Sequence, residues 1–128
     1  MIVSVAEEMN ASRRPTMEDC HVFRPAQSWN CGHQDLTYLG VYDGHGGRDI
    51  VEFLEQNLCS NIAQELCRND YNITNDNNDS HDGDQKEANS TILERMECGF
   101  LLTDIQSYQA GIHTSGATAV VCLIKVSI

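Results

Sequence analysis

The spacing of apolar and polar residues changes period along the chain, and each change marks an element. Ile2 to Val5 and His21 to Phe23 read as short strands with a loop between them. Leu36 to Tyr42 (Leu-Thr-Tyr-Leu-Gly-Val-Tyr) is a better strand, rich in β-branched and aromatic residues. It runs into Asp43-Gly44-His45-Gly46-Gly47, where the glycines interrupt regular structure and permit unusual backbone angles. From about Arg48 to Arg68 the period becomes helical: Val51, Leu54, Leu58, Ile62 and Leu66 recur at three- and four-residue spacing, with Ile50 and Phe53 widening the stripe. A second helix is predicted from about Glu87 to Tyr108, with Ile92, Met96, Phe100 and Ile105 as its apolar face and Gly99 weakening its middle. Gly116 to Ile128 is a near-continuous apolar strand, suited to a sheet centre. The order strands, helix, helix, strand predicts an α+β fold with two antiparallel helices packed on an antiparallel sheet. So apolar a final strand wants neighbours on both edges, and pairing of its open edge with another chain is one way to supply them.

Between the helices, Asn69 to Ser90 holds six Asn, five Asp and one Glu, with little that is apolar except Tyr71 and Ile73. Such a segment cannot bury enough surface to offset its ordering entropy, and a disordered surface insertion is expected. An EF-hand aligned on Gly83 places Asn78, Ser80 and Asp82 at ligand positions but Asn89 where a bidentate Glu is required, so that reading fails. This segment also carries much of the acidic excess of 19 Asp and Glu over 8 Lys and Arg. The net charge of -11 argues against a nucleic-acid partner, whose backbone needs clustered cations.

At 128 residues the chain suits one domain with a real core. No apolar run approaches a membrane span, and the start turns acidic at once without a basic flank, so a cytoplasmic or nuclear location is expected, with no membrane association. The six cysteines contain no Cys-x-x-Cys pair, which removes a zinc knuckle or a thioredoxin-like motif. None has an Arg at the offset that a cysteine-nucleophile phosphatase needs, so that chemistry is not expected. Cys59, Cys67 and Cys122 fall within apolar patterns and are expected to be small core residues.

Three clusters carry candidate chemistry. Asp43-Gly44-His45-Gly46-Gly47 sets a carboxylate at the end of a strand, where Gly44 lets its carbonyl approach a ligand and His45 offers a group that titrates near neutrality. On its own this could be a glycine turn with an Asp cap. Arg13-Arg14-Pro15-Thr16-Met17-Glu18-Asp19 puts a guanidinium, the preferred bidentate partner of phosphate, four residues before two hard oxygen donors. Thr114-Ser115-Gly116-Ala117-Thr118-Ala119 has glycine spacing reminiscent of a P-loop with Gly111, but Ala117 occupies the position of the required Lys; it reads as a tight turn into a core strand.

In this order, Arg-x-x-Met-Glu-Asp, Val-Tyr-Asp-Gly-His-Gly-Gly and Thr-Ser-Gly-Ala-Thr-Ala resemble the first motifs of the PP2C (PPM) family of metal-dependent protein serine/threonine phosphatases, over roughly Val3 to Leu123 with the Asn/Asp-rich insertion excepted. The resemblance implies that residues 1–128 form the amino-terminal part of a PP2C-like β-sandwich. It implies hydrolysis of phosphoserine and phosphothreonine in protein substrates with two Mg²⁺ or Mn²⁺ ions. Asp43 would bridge the ions, and Glu18 and the Gly44 carbonyl would hold one of them, an all-oxygen set suited to hard cations. Asp19 would orient metal-bound water. Arg14 would grip the phosphoryl oxygens, and His45 would protonate the departing Ser or Thr oxygen while a metal-activated water attacks phosphorus. Two further aspartates of the family, in a downstream Asp-Gly pair and a later Asp-Asn pair, have no counterpart after Gly116, so one ion would lack most of its ligands. The competing expectation is a phosphatase-like module that binds a partner without turnover.

Overall fold

The computed structural model describes residues 1–68 and 90–127. Five elements follow one another: β1 (Asp19–Arg24), β2 (Leu36–His45), α1 (Asp49–Cys67), α2 (Ile92–Gln109) and β3 (Gly116–Lys125). The strands form one antiparallel sheet in the order β1-β2-β3. This is the α+β layout that the order of elements predicts.

β2 occupies the centre of that sheet, and β3, the more apolar strand, lies at its edge among the described residues. Its apolar character is explained by two faces rather than two edges. Ala117, Ala119, Val121 and Leu123 pack towards the core, while Thr118, Val120 and Cys122 alternate with them and are exposed. Cys122 is therefore not a core residue. Cys67 is exposed as well, at the end of α1, whereas Cys20, Cys31 and Cys59 are buried. Burial pushes the thiols of Cys20 and Cys59 up to about 11, so both remain protonated packing groups.

The core lies between the sheet and α1. Tyr38, Tyr42, Val51, Leu58 and Ile62 are fully buried, and the two tyrosine hydroxyls satisfy one another at 2.7 Å. The predicted α1 stripe is buried at Val51, Leu58, Ile62 and Leu66, with Leu54 half-buried. Ile2 to Val5 forms no strand; this segment stays largely exposed and unpaired. A four-residue segment that pairs with no strand has nothing to bond its backbone.

α2 packs against α1 in the opposite direction. Arg95 donates to the Glu65 carbonyl, Gly99 meets Ile62, and Asn61 donates to Thr103 Oγ1 at 2.8 Å and Gln106 Oε1 at 2.7 Å. The buried stripe of α2 is thus Gly99, Thr103 and Ser107, flanked by half-buried Met96 and Phe100, while Ile92 and Ile105 are exposed. The expected apolar face was displaced because close approach favours small residues at the crossing. α2 begins at Ile92, after a capping box in which Thr91 and Glu94 bond each other's backbone. The expected helical residues 87–89 and, apart from Ser90, the expected insertion lie outside the described residues. Among the described residues no helix is long and apolar enough to cross a membrane.

Candidate metal and phosphate site

The register of β1 against β2 brings the two acidic motifs together. Asp19 stands directly opposite Asp43, so both carboxylates leave the same face, and both residues are exposed. In such a pair the Cβ atoms are about 4.5–5.5 Å apart, and like charges so placed destabilise a sheet unless something positive lies between them.

The turn after β2 fastens the segment before β1. Glu18 Oε1 accepts from the Gly47 N–H at 3.2 Å and from the Thr16 hydroxyl at 3.4 Å. The Arg48 guanidinium donates to the Met17 carbonyl and also bonds Glu52 at 3.1 Å. Gly46 and Gly47 adopt φ of +75° and +118°, which side chains resist, and so the backbone can turn back to offer the Gly47 N–H. A Cβ on Gly44 would run into the Glu18 carbonyl and stand 2.6 Å from Val51 Cγ1. The third motif closes the arrangement from the other side. Ser115 Oγ accepts from the Ile50 N–H at 3.2 Å, supplying α1 with the cap that Arg48, its N-terminal flanking residue, does not provide.

A cavity of about 370 Å³ opens at this junction, lined by Arg14, Glu18, Asp19, Asp43 and Gly44. Glu8 and Asn10 also line it and were not singled out from the sequence. Their placement follows from a reversal at Asn10, whose φ is 55° and whose carbonyl accepts the N–H groups of Arg13 and Arg14. An Asn shortly before a basic pair is a weak turn signal, and no spacing rule would have tied it to Asp43. His45 does not line the cavity. It lies opposite Gly116 in the β2–β3 pair, and its ring covers that glycine so closely that a Cβ there would be 2.6 Å from Nε2. A larger groove of about 820 Å³ runs between α1, α2 and β3, but of carboxylates it holds Asp104 alone. The carboxylates of the two acidic motifs therefore gather in the smaller cavity.

The donors gathered there are carboxylate and carbonyl oxygens, which suit Mg²⁺ or Mn²⁺ and not a soft ion. Among the described residues, however, no three His, Cys, Asp or Glu side chains converge closely enough to hold an ion by themselves.

A family model described as Protein phosphatase 2C matches residues 3–127. The chain belongs to the protein phosphatase 2C family. Its PP2C relatives include a "Probable protein phosphatase 2C 32" of Oryza sativa subsp. japonica, 31% identical over 68% of this chain and 22% of the relative. A "Probable protein phosphatase 2C 2" of Arabidopsis thaliana is 35% identical over 73% of the chain and 20% of the relative. A "Protein phosphatase 2C 1" of Paramecium tetraurelia is 38% identical over 49% of the chain and 19% of the relative. The matched stretch thus amounts to about a fifth of each of these PP2C proteins.

Proposed function

We propose that this chain carries the phosphate-binding residues and part of the metal-binding residues of a protein serine/threonine phosphatase that uses Mg²⁺ or Mn²⁺. The observation that supports this most is the single cavity in which Arg14, Glu18, Asp19, Asp43 and Gly44, from two separate sequence motifs of a PP2C chain, meet. Glu18, Asp43 and the Gly44 carbonyl would hold a divalent cation, and Asp19 would orient water beside it. The cation supplies charge neutralisation at the phosphoryl group and a water acidified enough to attack phosphorus. Arg14 binds two phosphoryl oxygens through its planar fork. The bonds from Gly47 and Thr16 hold the Glu18 carboxylate in position before any ligand arrives. His45, exposed two residues beyond Asp43 along β2, delivers a proton to the departing Ser or Thr oxygen.

The test is hydrolysis of p-nitrophenyl phosphate by the 128-residue chain with Mn²⁺ or with a chelator, beside Asp43→Asn, with Mn²⁺ binding followed by calorimetry. The expected result is manganese-dependent turnover that falls in Asp43→Asn by more than the roughly 10–100-fold that loss of a group merely supporting a metal ligand costs, together with weakened Mn²⁺ binding. Turnover that survives the substitution overturns the enzyme reading.

One observation favours a second reading. Because no three ligating side chains converge among the described residues, a chain that binds a phosphoprotein without hydrolysing it also fits. Folded protein that binds a phosphopeptide through Arg14 but shows no turnover at any Mn²⁺ concentration would establish that reading instead.

A further inference from the structure

At the end of the sheet away from the acidic cavity, two cysteines distant in sequence meet at one loop. Cys31 lies between β1 and β2, and Cys67 is the last residue of α1. The Cys31 thiol donates to the His33 carbonyl at 3.2 Å, and the Cys67 thiol donates to the Asn30 carbonyl at 3.0 Å. Cys67 therefore lies against the peptide group that leads into Cys31. Gly32 makes room for it: a Cβ there would be 3.2 Å from Cys67 Sγ and 3.6 Å from Cys67 Cα. Both cysteines line the same cavity of about 410 Å³, together with Trp29, His33 and Gln34.

We propose that Cys31 and Cys67 form a reversible disulfide when the protein meets hydrogen peroxide or a comparable hydroperoxide. The two thiols differ in the way such a pair requires. Cys67 is exposed and meets the oxidant first, while Cys31 is 2% exposed and serves as the resolving thiol. Burial pushes the Cys31 thiol up, so Cys31 is not the first to react. In the first step the Cys67 thiolate attacks one peroxide oxygen; the O–O bond breaks, hydroxide leaves and takes up a proton as water, and Cys67 becomes a sulfenic acid. In the second step Cys31 gives up its proton and its thiolate attacks the Cys67 sulfur; the S–O bond breaks, and the hydroxide leaves and takes up that proton as water. Two thiols and one peroxide thus give one disulfide and two waters, and a thiol reductant reverses the change.

The bridge would tie the β1–β2 loop to the end of α1, closing a loop of intervening chain that includes β2 and the whole helix. Seven residues of β2, at about 3.3 Å each, separate Leu36 at that end from Asp43, a distance of about 23 Å. The inference therefore does not depend on the phosphatase reading.

The test treats the folded chain with stoichiometric hydrogen peroxide and reads its intact mass, its disulfide map and its melting temperature. The expected result is a loss of two hydrogens, a dominant Cys31–Cys67 linkage, and a rise in melting temperature on the order of 10 °C that dithiothreitol reverses. Cys67→Ser, which keeps a donor for the Asn30 carbonyl at an exposed position, should abolish both the mass change and the rise. Cys31→Ser should instead trap an unresolved sulfenic acid on Cys67, detectable with dimedone. A linkage between other cysteines, indiscriminate pairing, or a Cys67→Ser protein that still gains the same thermal shift would overturn the proposal.

Discussion

Asp43 shows how much a single position depends on its neighbours. Its carboxylate faces Asp19, and the glycine after it is shaped by the Glu18 carbonyl on one side and Val51 on the other. Gly44→Ala should therefore cost about 1–3 kcal/mol, the usual range for overpacking, because a backbone atom and a core valine must both give way. Thermal unfolding of the folded chain would measure this, and if Glu18 holds Mn²⁺ as proposed, stabilisation by Mn²⁺ should shrink in the variant. A second residue-scale prediction concerns alkaline pH. Burial raises the phenol of Tyr42 to about 12 and that of Tyr38 further, and it raises Cys20 and Cys59 to about 11. Each group holds its proton more tightly folded than unfolded. Their contribution is therefore complete below about pH 8 and is lost as pH rises, from about 9 to 11 for the two cysteines and from about 10 upward for the tyrosines, with a slope of up to about 1.4 kcal/mol per pH unit per group. Urea unfolding at pH 8, 10 and 11 should show this fall, and replacing Tyr38 and Tyr42 together by Phe should flatten the tyrosine share of it.

Two opposing effects meet in α2. Ala is favoured over Gly in a helix by about 1 kcal/mol, so local propensity alone says that Gly99→Ala stabilises. The helix crossing says otherwise: the added Cβ would stand 2.6 Å from Ile62 Cγ1 and 2.9 Å from Ile62 Cα. The second of these is backbone and cannot rotate aside, so the whole of α2 must shift. The expected net result is destabilisation by about 1–3 kcal/mol, with the Asn61–Thr103 bond lengthened or broken. An increase in melting temperature for Gly99→Ala would show that α2 is not seated as described. At the start of the same helix, Thr91→Ala removes the capping-box acceptor and should cost about 1 kcal/mol, measurable by denaturant unfolding with an unchanged m value.

For the molecule as a whole, the sheet is covered on one face. On the other, Val41 is 59% exposed and Val120 is 70% exposed, and the two stand directly opposite each other in the β2–β3 pair with exposed Cys122 two residues further along β3. Adjacent exposed apolar side chains on a sheet attract dyes and other chains. The 128-residue chain should therefore bind an anilinonaphthalene dye, and Val41→Lys with Val120→Lys should reduce the fluorescence by several-fold while leaving the melting temperature nearly unchanged. An unaltered dye signal would place the apolar surface elsewhere, with the groove between α1, α2 and β3 as the next site to test.

What the sequence determined by itself was the identity and order of the parts. Helical period in α1, β propensity in β2 and glycines at the end of it are local properties, and each followed from residues a few positions apart. The acidic and basic motifs were legible too, because chemistry of that kind needs particular side chains whatever surrounds them. Tertiary structure alone decided how the parts meet. Only register places Asp19 opposite Asp43, only the turn at Gly46 and Gly47 sends an N–H to Glu18, and only the reversal at Asn10 carries Glu8 to the cavity. It also decided which apolar residues are buried. Gly99, Thr103 and Ser107 displaced Ile92 and Ile105 from the α2 interface because two backbones approach closely there, and Cys67 and Cys122 proved exposed. Periodicity marks a face of an element. Which face is covered, and how closely, depends on pairwise contacts between residues far apart in the chain, and those contacts leave no local trace in the sequence.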